Sequence, residues 1–194
     1  MLMSEFKNAI RDYINDSTAN VDQVASDALR HLSNFFWLED EDKSLTANGV
    51  LTAFTRPTGT LFIYGLKVGL EEYERIMLDE RDRFDIAVDL GLYRFYETAT
   101  QIVFPVAPAT GTITIHRRKA FAVPVDAVAL DVPDYLIPLL IAMACQRYFR
   151  KMVSIVATSR ESLPDIKPKE IESALKLWTD QVNDEIESVK SSRS

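Results

Sequence analysis

The chain has 194 residues, of which 47% are hydrophobic and 26% are charged, and its formal net charge is −7 at pH 7. This is the composition of an ordinary globular protein with enough apolar side chains to form a core. This negative net charge argues against a protein that binds nucleic acid through a broad basic surface.

The first predicted elements are two helices. Residues 5–13 carry apolar side chains at helical spacing, and Ser4 can cap them. Asn20 and Gln23 form a capping-box pattern at the start of a second helix, which is predicted to run to about Trp37. Residues 39–42 are all acidic and are predicted to form a turn.

The middle of the chain has the character of strands. Short runs rich in β-branched and aromatic residues, separated by turn-forming residues, predict strands at 49–55, 61–64, 92–96, 101–104 and 111–116. The third and fourth of these are expected to form a hairpin. Residues 70–78 are predicted as a short helix, because Leu70, Tyr73, Ile76 and Met77 share one helical face.

Helix returns at the C-terminal end. Asp134 can cap a helix over residues 135–155, in which Pro138 falls in the first turn, where a missing amide hydrogen costs little. Pro168 opens a last helix with a clear apolar stripe, formed by Ile171, Leu175, Trp178, Val182 and Ile186. Residues 191–194 are predicted to be a disordered tail.

These elements predict a mainly α protein of the α+β class. Residues 1–47 and 122–190 would form an antiparallel bundle of about four helices. Residues 48–121 would form a small β-rich insertion that contains the short helix. No signal peptide is recognised, and the longest apolar stretch, residues 136–145, is too short to span a bilayer, so we expect a soluble protein without a membrane partner.

A search for catalytic or ligand-binding patterns finds little. His31 and His116 are far apart in sequence, and the single cysteine, Cys145, lies in an apolar helix where a buried, inert thiol is expected. No glycine-rich phosphate loop is present. The acidic stretch at 79–85 is interleaved with arginines, which is typical of a solvated, self-neutralised face. The sequence therefore predicts a protein that is not an enzyme and that has no cofactor and no metal.

The order of the segments resembles the adaptor proteins of the head-to-tail connector of tailed bacteriophages. In that family a helix ending in a tryptophan, here Phe35-Phe36-Trp37, leads into a β-rich insertion. A strand that ends in a proline, here Pro105, precedes an alternating strand, here 112–118. Helix then returns through an acidic-Val-Pro entry, here Asp131-Val132-Pro133, and a charged final helix closes the chain, here 167–187.

This resemblance implies a structural protein of the virion neck, made in the host cytoplasm. It implies a ring, most often of twelve copies, that joins the portal protein to a tail nozzle or tail tube protein, with DNA passing through the lumen without specific binding. Carboxylates lining the lumen would repel DNA. Candidate lumen-facing residues are Glu39, Asp40, Glu41 and Asp42, with residues 79–85 as a second candidate segment. Candidate partner contacts are Arg117, Arg118, Lys119 and Trp178.

Three alternatives remain open from the sequence. The chain could be another neck or tail-completion protein, such as a stopper or a tail terminator, and a strand-dominated structure without long C-terminal helices would favour that. It could be a nucleic-acid-binding module that uses residues 116–119. It could also be a small enzyme that uses the carboxylates of residues 79–85.

Overall fold

The computed structural model describes residues 1–77, 93–158 and 168–191. The chain divides into two compact units, one comprising Met1–Phe36 with Phe121–Ser194 and the other comprising Trp37–Ala120. The predicted bundle with a small β insertion is wrong. The described residues form four α-helices and a curled mixed sheet of seven strands, an α+β fold that the sheet dominates.

The first unit contains the α-helices. They are α1 (Met3–Ile14), α2 (Asp22–Leu32), α3 (Ile137–Thr158) and α4 (Pro168–Ser191), with a short 3-10 helix at Asp134–Leu136. All four were predicted, but two bounds are corrected: α1 begins at Met3, so Ser4 lies inside the helix and does not cap it, and α2 ends at Leu32 and not near Trp37. Ser191 is the last residue of α4, so it does not belong to the predicted tail, and residues 192–194 lie outside the described residues.

The core of the first unit has α1, α2 and the first half of α3 at its centre. Phe6, Ile10 and Leu29 are fully buried, as are Leu139 and Leu140 at the start of α3. Lys7 on α1 forms ion pairs with two other segments of the unit. Its ammonium lies 2.7 Å from Asp22, at the start of α2, and also contacts Asp126. These two carboxylates raise the pKa of Lys7.

The second unit contains the sheet. Its strands are β1 (Leu38–Ala47), β2 (Ala53–Thr55), β3 (Thr60–Val68), β4 (Glu71–Arg75), β5 (Arg94–Glu97), β6 (Gln101–Val103) and β7 (Gly111–Lys119). They lie in the order β1-β7-β3-β4-β5-β6-β2, antiparallel except for the parallel pair β4 and β5. The predicted hairpin between β5 and β6 is confirmed. One face buries a core that includes Phe54, Ile63, Leu66, Phe95, Ile102, Phe104, Ile113 and Ile115.

Two predicted elements are corrected by this sheet. Residues 71–75 form β4, because a turn at Gly69 (φ +61°) folds them back onto β3 with Leu66 opposite Tyr73. Leu70, predicted to face inward on a helix, is 97% exposed in that turn. The acidic residues 39–42 form a strand instead of a turn, so the sheet begins before the predicted start of the insertion at residue 48.

Candidate functional site

The acidic and basic segments singled out in the sequence are neighbouring strands. In the antiparallel register of β1 and β7, Glu39 lies opposite Arg118, Asp40 opposite Arg117 and Glu41 opposite His116. The cost of placing four consecutive carboxylates in a strand is therefore offset by cations on the next strand. The carboxylates of β1 and the cations of β7 therefore compensate each other's charge.

Arg117 is the centre of this arrangement. The alternation of β7 buries Ile113 and Ile115, and it places Arg117 on the same inner face with only 5% of the residue exposed. Its guanidinium donates from Nε and Nη2 to Asp40 Oδ2 at 2.9 and 2.7 Å, and Nη2 lies 2.9 Å from Asp42 Oδ2. Nη1 donates to the carbonyl of Thr58 and to the hydroxyl of Thr60.

Arg117 was predicted as a partner contact, and the structure places it where a partner cannot reach it. Its donors are used within the sheet, as expected of a buried arginine in a satisfied network. The residue is a structural link between β1, β3 and β7.

The four acidic candidates are divided by the same alternation. Asp40 and Asp42 are half-buried beside Arg117, whereas Glu39 and Glu41 are exposed. Burial alone would raise the pKa of Asp42, but hydrogen bonds from Ser44 and the charge of Arg117 hold that pKa below its usual value. Of the four, Glu39 and Glu41 are the exposed ones, and the lumen-facing role of these residues stays a prediction.

Arg118 has the opposite orientation and lies on the outer face of the sheet. Its Cζ sits 4.3 Å from the centroid of the Trp37 ring and 6.0 Å from that of Phe62. The guanidinium of Arg75 stacks on Phe62 as well, at 4.4 Å. Such cation–π stacking holds an arginine in place while its outer edge remains available.

We call this group the aromatic face: Trp37, Phe62, Tyr64, Arg75 and Arg118. Phe62 is 38% and Tyr64 51% exposed. The face exists because β3 alternates, with Ile63 buried between the two exposed rings, and because Phe62 pairs directly with Arg118 on β7. A row of tryptophan, tyrosine and arginine on a sheet surface has the composition of protein–protein hot spots.

A buried carboxylate holds one end of the aromatic face. The side chain of Glu97, on β5, is only 6% exposed and lies between two arginines. Its Oε1 is 3.1 Å from Arg75 Nε, and its Oε2 is 3.0 Å from Arg56 Nη2. The contact between Glu97 Oε1 and Arg75 is an ion pair without a hydrogen bond, and this charge attraction holds Arg75 near Phe62 from inside the sheet.

The remaining predicted contacts are scattered. Lys119 ends β7 and is half-buried. Trp178 lies on α4, half-buried, with its ring edge-to-face against Tyr13 at 5.7 Å. Neither is one of the five residues of the aromatic face, and their role as partner contacts stays a prediction. Residues 79–85 lie outside the described residues.

The described residues hold no group of three or more histidine, cysteine or acidic side chains arranged to bind a metal ion. Within the same parts of the chain, no helix is both long and apolar enough to cross a bilayer.

Cys145 offers a direct check of the packing in α3. The residue is fully buried, and burial raises the pKa of its thiol to about 12. Because the thiolate is the reactive form, we expect Ellman's reagent at pH 8 to label Cys145 only after unfolding in guanidinium chloride. Rapid labelling of the native protein would contradict the packing described for α3.

The aromatic face was missed by sequence reasoning. Trp37 was noted only as the end of a helix, and Phe62 and Tyr64 only as strand residues. Their alternation with Ile63 was a signal that both rings share one face, but their meeting with Arg118 depends on a strand register that the sequence does not display.

Compared with protein-family models and with curated protein sequences, the chain matches none.

Proposed function

We propose that the chain is a structural subunit of the neck of a tailed bacteriophage, an adaptor that joins the portal to the tail as a ring and forms part of the DNA conduit. The proposal is supported by the order of segments along the chain, which resembles that family. The observation that carries it is the aromatic face, an exposed surface whose residue types suit binding to another protein.

The charged residues favour assembly over chemistry. Arg117, Asp40 and Asp42 are tied together inside the sheet, and Glu97 is held between two arginines. Catalytic acids and bases instead need a proton-transfer partner within reach of a substrate. The aromatic face offers rings and guanidinium groups, which bind protein surfaces well.

The exposed part of the acidic strand suits a DNA conduit. Glu39 and Glu41 point away from the sheet core on a chain whose net charge is −7. A phosphate backbone passing such a surface is repelled and not retained. The basic run at 116–119 offers little to DNA, because Arg117 is buried and Arg118 is stacked on rings.

The long C-terminal helices favour an adaptor over a stopper or a tail terminator. A strand-dominated structure without them was expected of those alternatives, and the fold meets only the first of these two features, since the sheet dominates it. Here the sheet is larger than predicted, yet Ile137–Thr158 and Pro168–Ser191 are both long α-helices.

The proposal is tested by co-purifying the chain with the portal protein of the phage that encodes it. We expect a stable complex. If the aromatic face is the contact, Phe62→Ala and Arg118→Ala should each weaken binding by about 2 kcal/mol, roughly thirtyfold in Kd, because such residues dominate interface energies.

Arg30→Ala is the matched control, since Arg30 is an exposed arginine on α2 with only a distant partner, Asp27, at 3.6 Å. It should bind portal as the wild type does. A wild-type chain that does not bind portal would refute the neck assignment. If both variants bind the portal as tightly as the wild type, the aromatic face is not the contact, but the neck assignment itself is not refuted.

A further inference from the structure

A basic groove lies in the first unit, between α2, α3 and α4. Its cavity of about 410 Å³ is within the range typical of ligand sites. One part of its wall carries the guanidiniums of Arg147 and Arg150 beside the imidazole of His31. The other part is apolar, with Phe35, Val182 and Ile186. The term basic groove is used below for the cavity with these six residues.

The cations of the basic groove are not neutralised within the described parts of the chain. Across those residues, none of the ion pairs within 4 Å involves Arg147 or Arg150. The buried Nε of Arg147 has no acceptor among the described residues, as is also true of the Nε atoms of Arg56 and Arg118. Most other arginines described above have ion partners: Arg117 has Asp40, Arg56 and Arg75 share Glu97. Two guanidinium groups on one wall, without a carboxylate partner in the part of the chain that the structure describes, favour an anionic ligand.

The pKa of His31 responds to the positive charges of the groove. Its pKa is lowered from the ordinary value by burial and then by the charges of Arg147 and Arg150. Lys190 also lines the groove, and its nearest carboxylate, Glu187, is 3.6 Å away on the rim. The groove is thus locally positive on a chain that is acidic overall.

We propose that the basic groove binds an acidic peptide segment of a partner protein, with carboxylates on Arg147 and Arg150 and an apolar side chain against Phe35. The aliphatic wall of Val182 and Ile186 favours a peptide side chain over a phosphate backbone, and Phe35, which is 41% exposed, offers a ring for it to pack on. The proposal does not depend on the neck assignment.

The test is fluorescence anisotropy with a labelled peptide of aspartate, glutamate and one phenylalanine. Its counterpart, with asparagine and glutamine in place of the acids, is the neutral reference. We expect the acidic peptide to bind and the neutral one to bind at least about tenfold more weakly, because two charge-assisted contacts are lost. The double variant Arg147→Gln with Arg150→Gln should weaken the acidic peptide by at least as much.

Arg30→Gln is the control, because it removes an exposed arginine charge from the same helix as His31, and it should leave peptide binding unchanged. A proton NMR titration of His31 checks that the double variant is folded and that its guanidiniums face the imidazole. Removing these two charges should raise the pKa of His31.

Three kinds of result would overturn the proposal. The first is a binding result: either the acidic and neutral peptides bind equally, or the double variant binds the acidic peptide as the wild type does. The second is duplex DNA displacing the peptide at lower concentration, which would assign the groove to nucleic acid. The third is self-association, measured by analytical ultracentrifugation, that the double variant abolishes, which would make a second copy of the chain the occupant.

Discussion

Replacing Arg117 with alanine is expected to lower the free energy of unfolding by about 3–5 kcal/mol, one of the two largest effects of any charged residue described here. The substitution leaves Asp40 and Asp42 without the cation that neutralises them, on the core side of the sheet. It also removes the hydrogen bonds that Arg117 Nη1 donates to the carbonyl of Thr58 and to the hydroxyl of Thr60. The second of these bonds links β7 to β3. Urea denaturation followed by circular dichroism measures the change.

Arg118→Ala is the control, because the neighbouring residue on β7 faces the other way. Its loss removes stacking on Trp37 and should cost only about 1 kcal/mol. The two variants should therefore separate cleanly: Arg117→Ala weakens the fold, and Arg118→Ala weakens partner binding. Equal stability of the two variants would contradict the opposite orientations assigned to these residues.

Lowering the pH should destabilise the fold through Asp42, which lies beside Arg117. The pKa of Asp42 is held low in the folded protein, so the unfolded state takes up its proton first. The stability from this group is therefore present above the unfolded value of about 3.9 and is lost as pH falls through the folded pKa. Arg117→Ala removes part of what lowers this pKa, so its stability should fall less steeply below about pH 4 than that of the wild type.

Glu97→Ala is the second large effect, with an expected loss of about 3 kcal/mol. Glu97 is almost fully buried, and its removal leaves the guanidiniums of Arg56 and Arg75 without their shared carboxylate. Arg75 also loses the group that positions it over Phe62, so the variant should bind the portal more weakly as well. Chemical denaturation and the portal co-purification measure the two effects.

Glu74→Ala separates a buried carboxylate from an exposed one. Glu74 pairs with Arg94 at 2.8 Å, but its side chain is 68% exposed. Water screens such a pair, so its loss should cost less than about 1 kcal/mol. Should Glu97→Ala prove no more harmful than Glu74→Ala, the support that Glu97 gives to the sheet would have to be abandoned.

The helices were predictable because each carries its own signal. Phe6 and Ile10 repeat at helical spacing, and Pro168 marks a helix start at the residue where α4 begins. Strands β1 and β4 were not, because their residues favour other structures. Glu71 and Glu72 favour helix, and the carboxylates of residues 39–42 are poor strand formers alone. Pairing with β3 and with β7 overrides these local preferences.

The site could be predicted in part. The basic run was recognised, and the alternation of Ile113 and Ile115 already implied that Arg117 would point inward with them. The aromatic face required the registers of β1, β3 and β7, which bring Trp37 and Phe62 to Arg118. The basic groove required the packing of α2, α3 and α4, which places Arg147 and Arg150 near His31. Neither arrangement can be seen along a single segment.

The most direct test of the neck assignment is electron microscopy of the chain mixed with the portal protein of its phage. The account predicts a closed ring of copies capping the portal, most often twelve, with an open central channel. The same chain should be found in purified virions by mass spectrometry. A portal that remains uncapped, together with virions that lack the chain, would contradict the account.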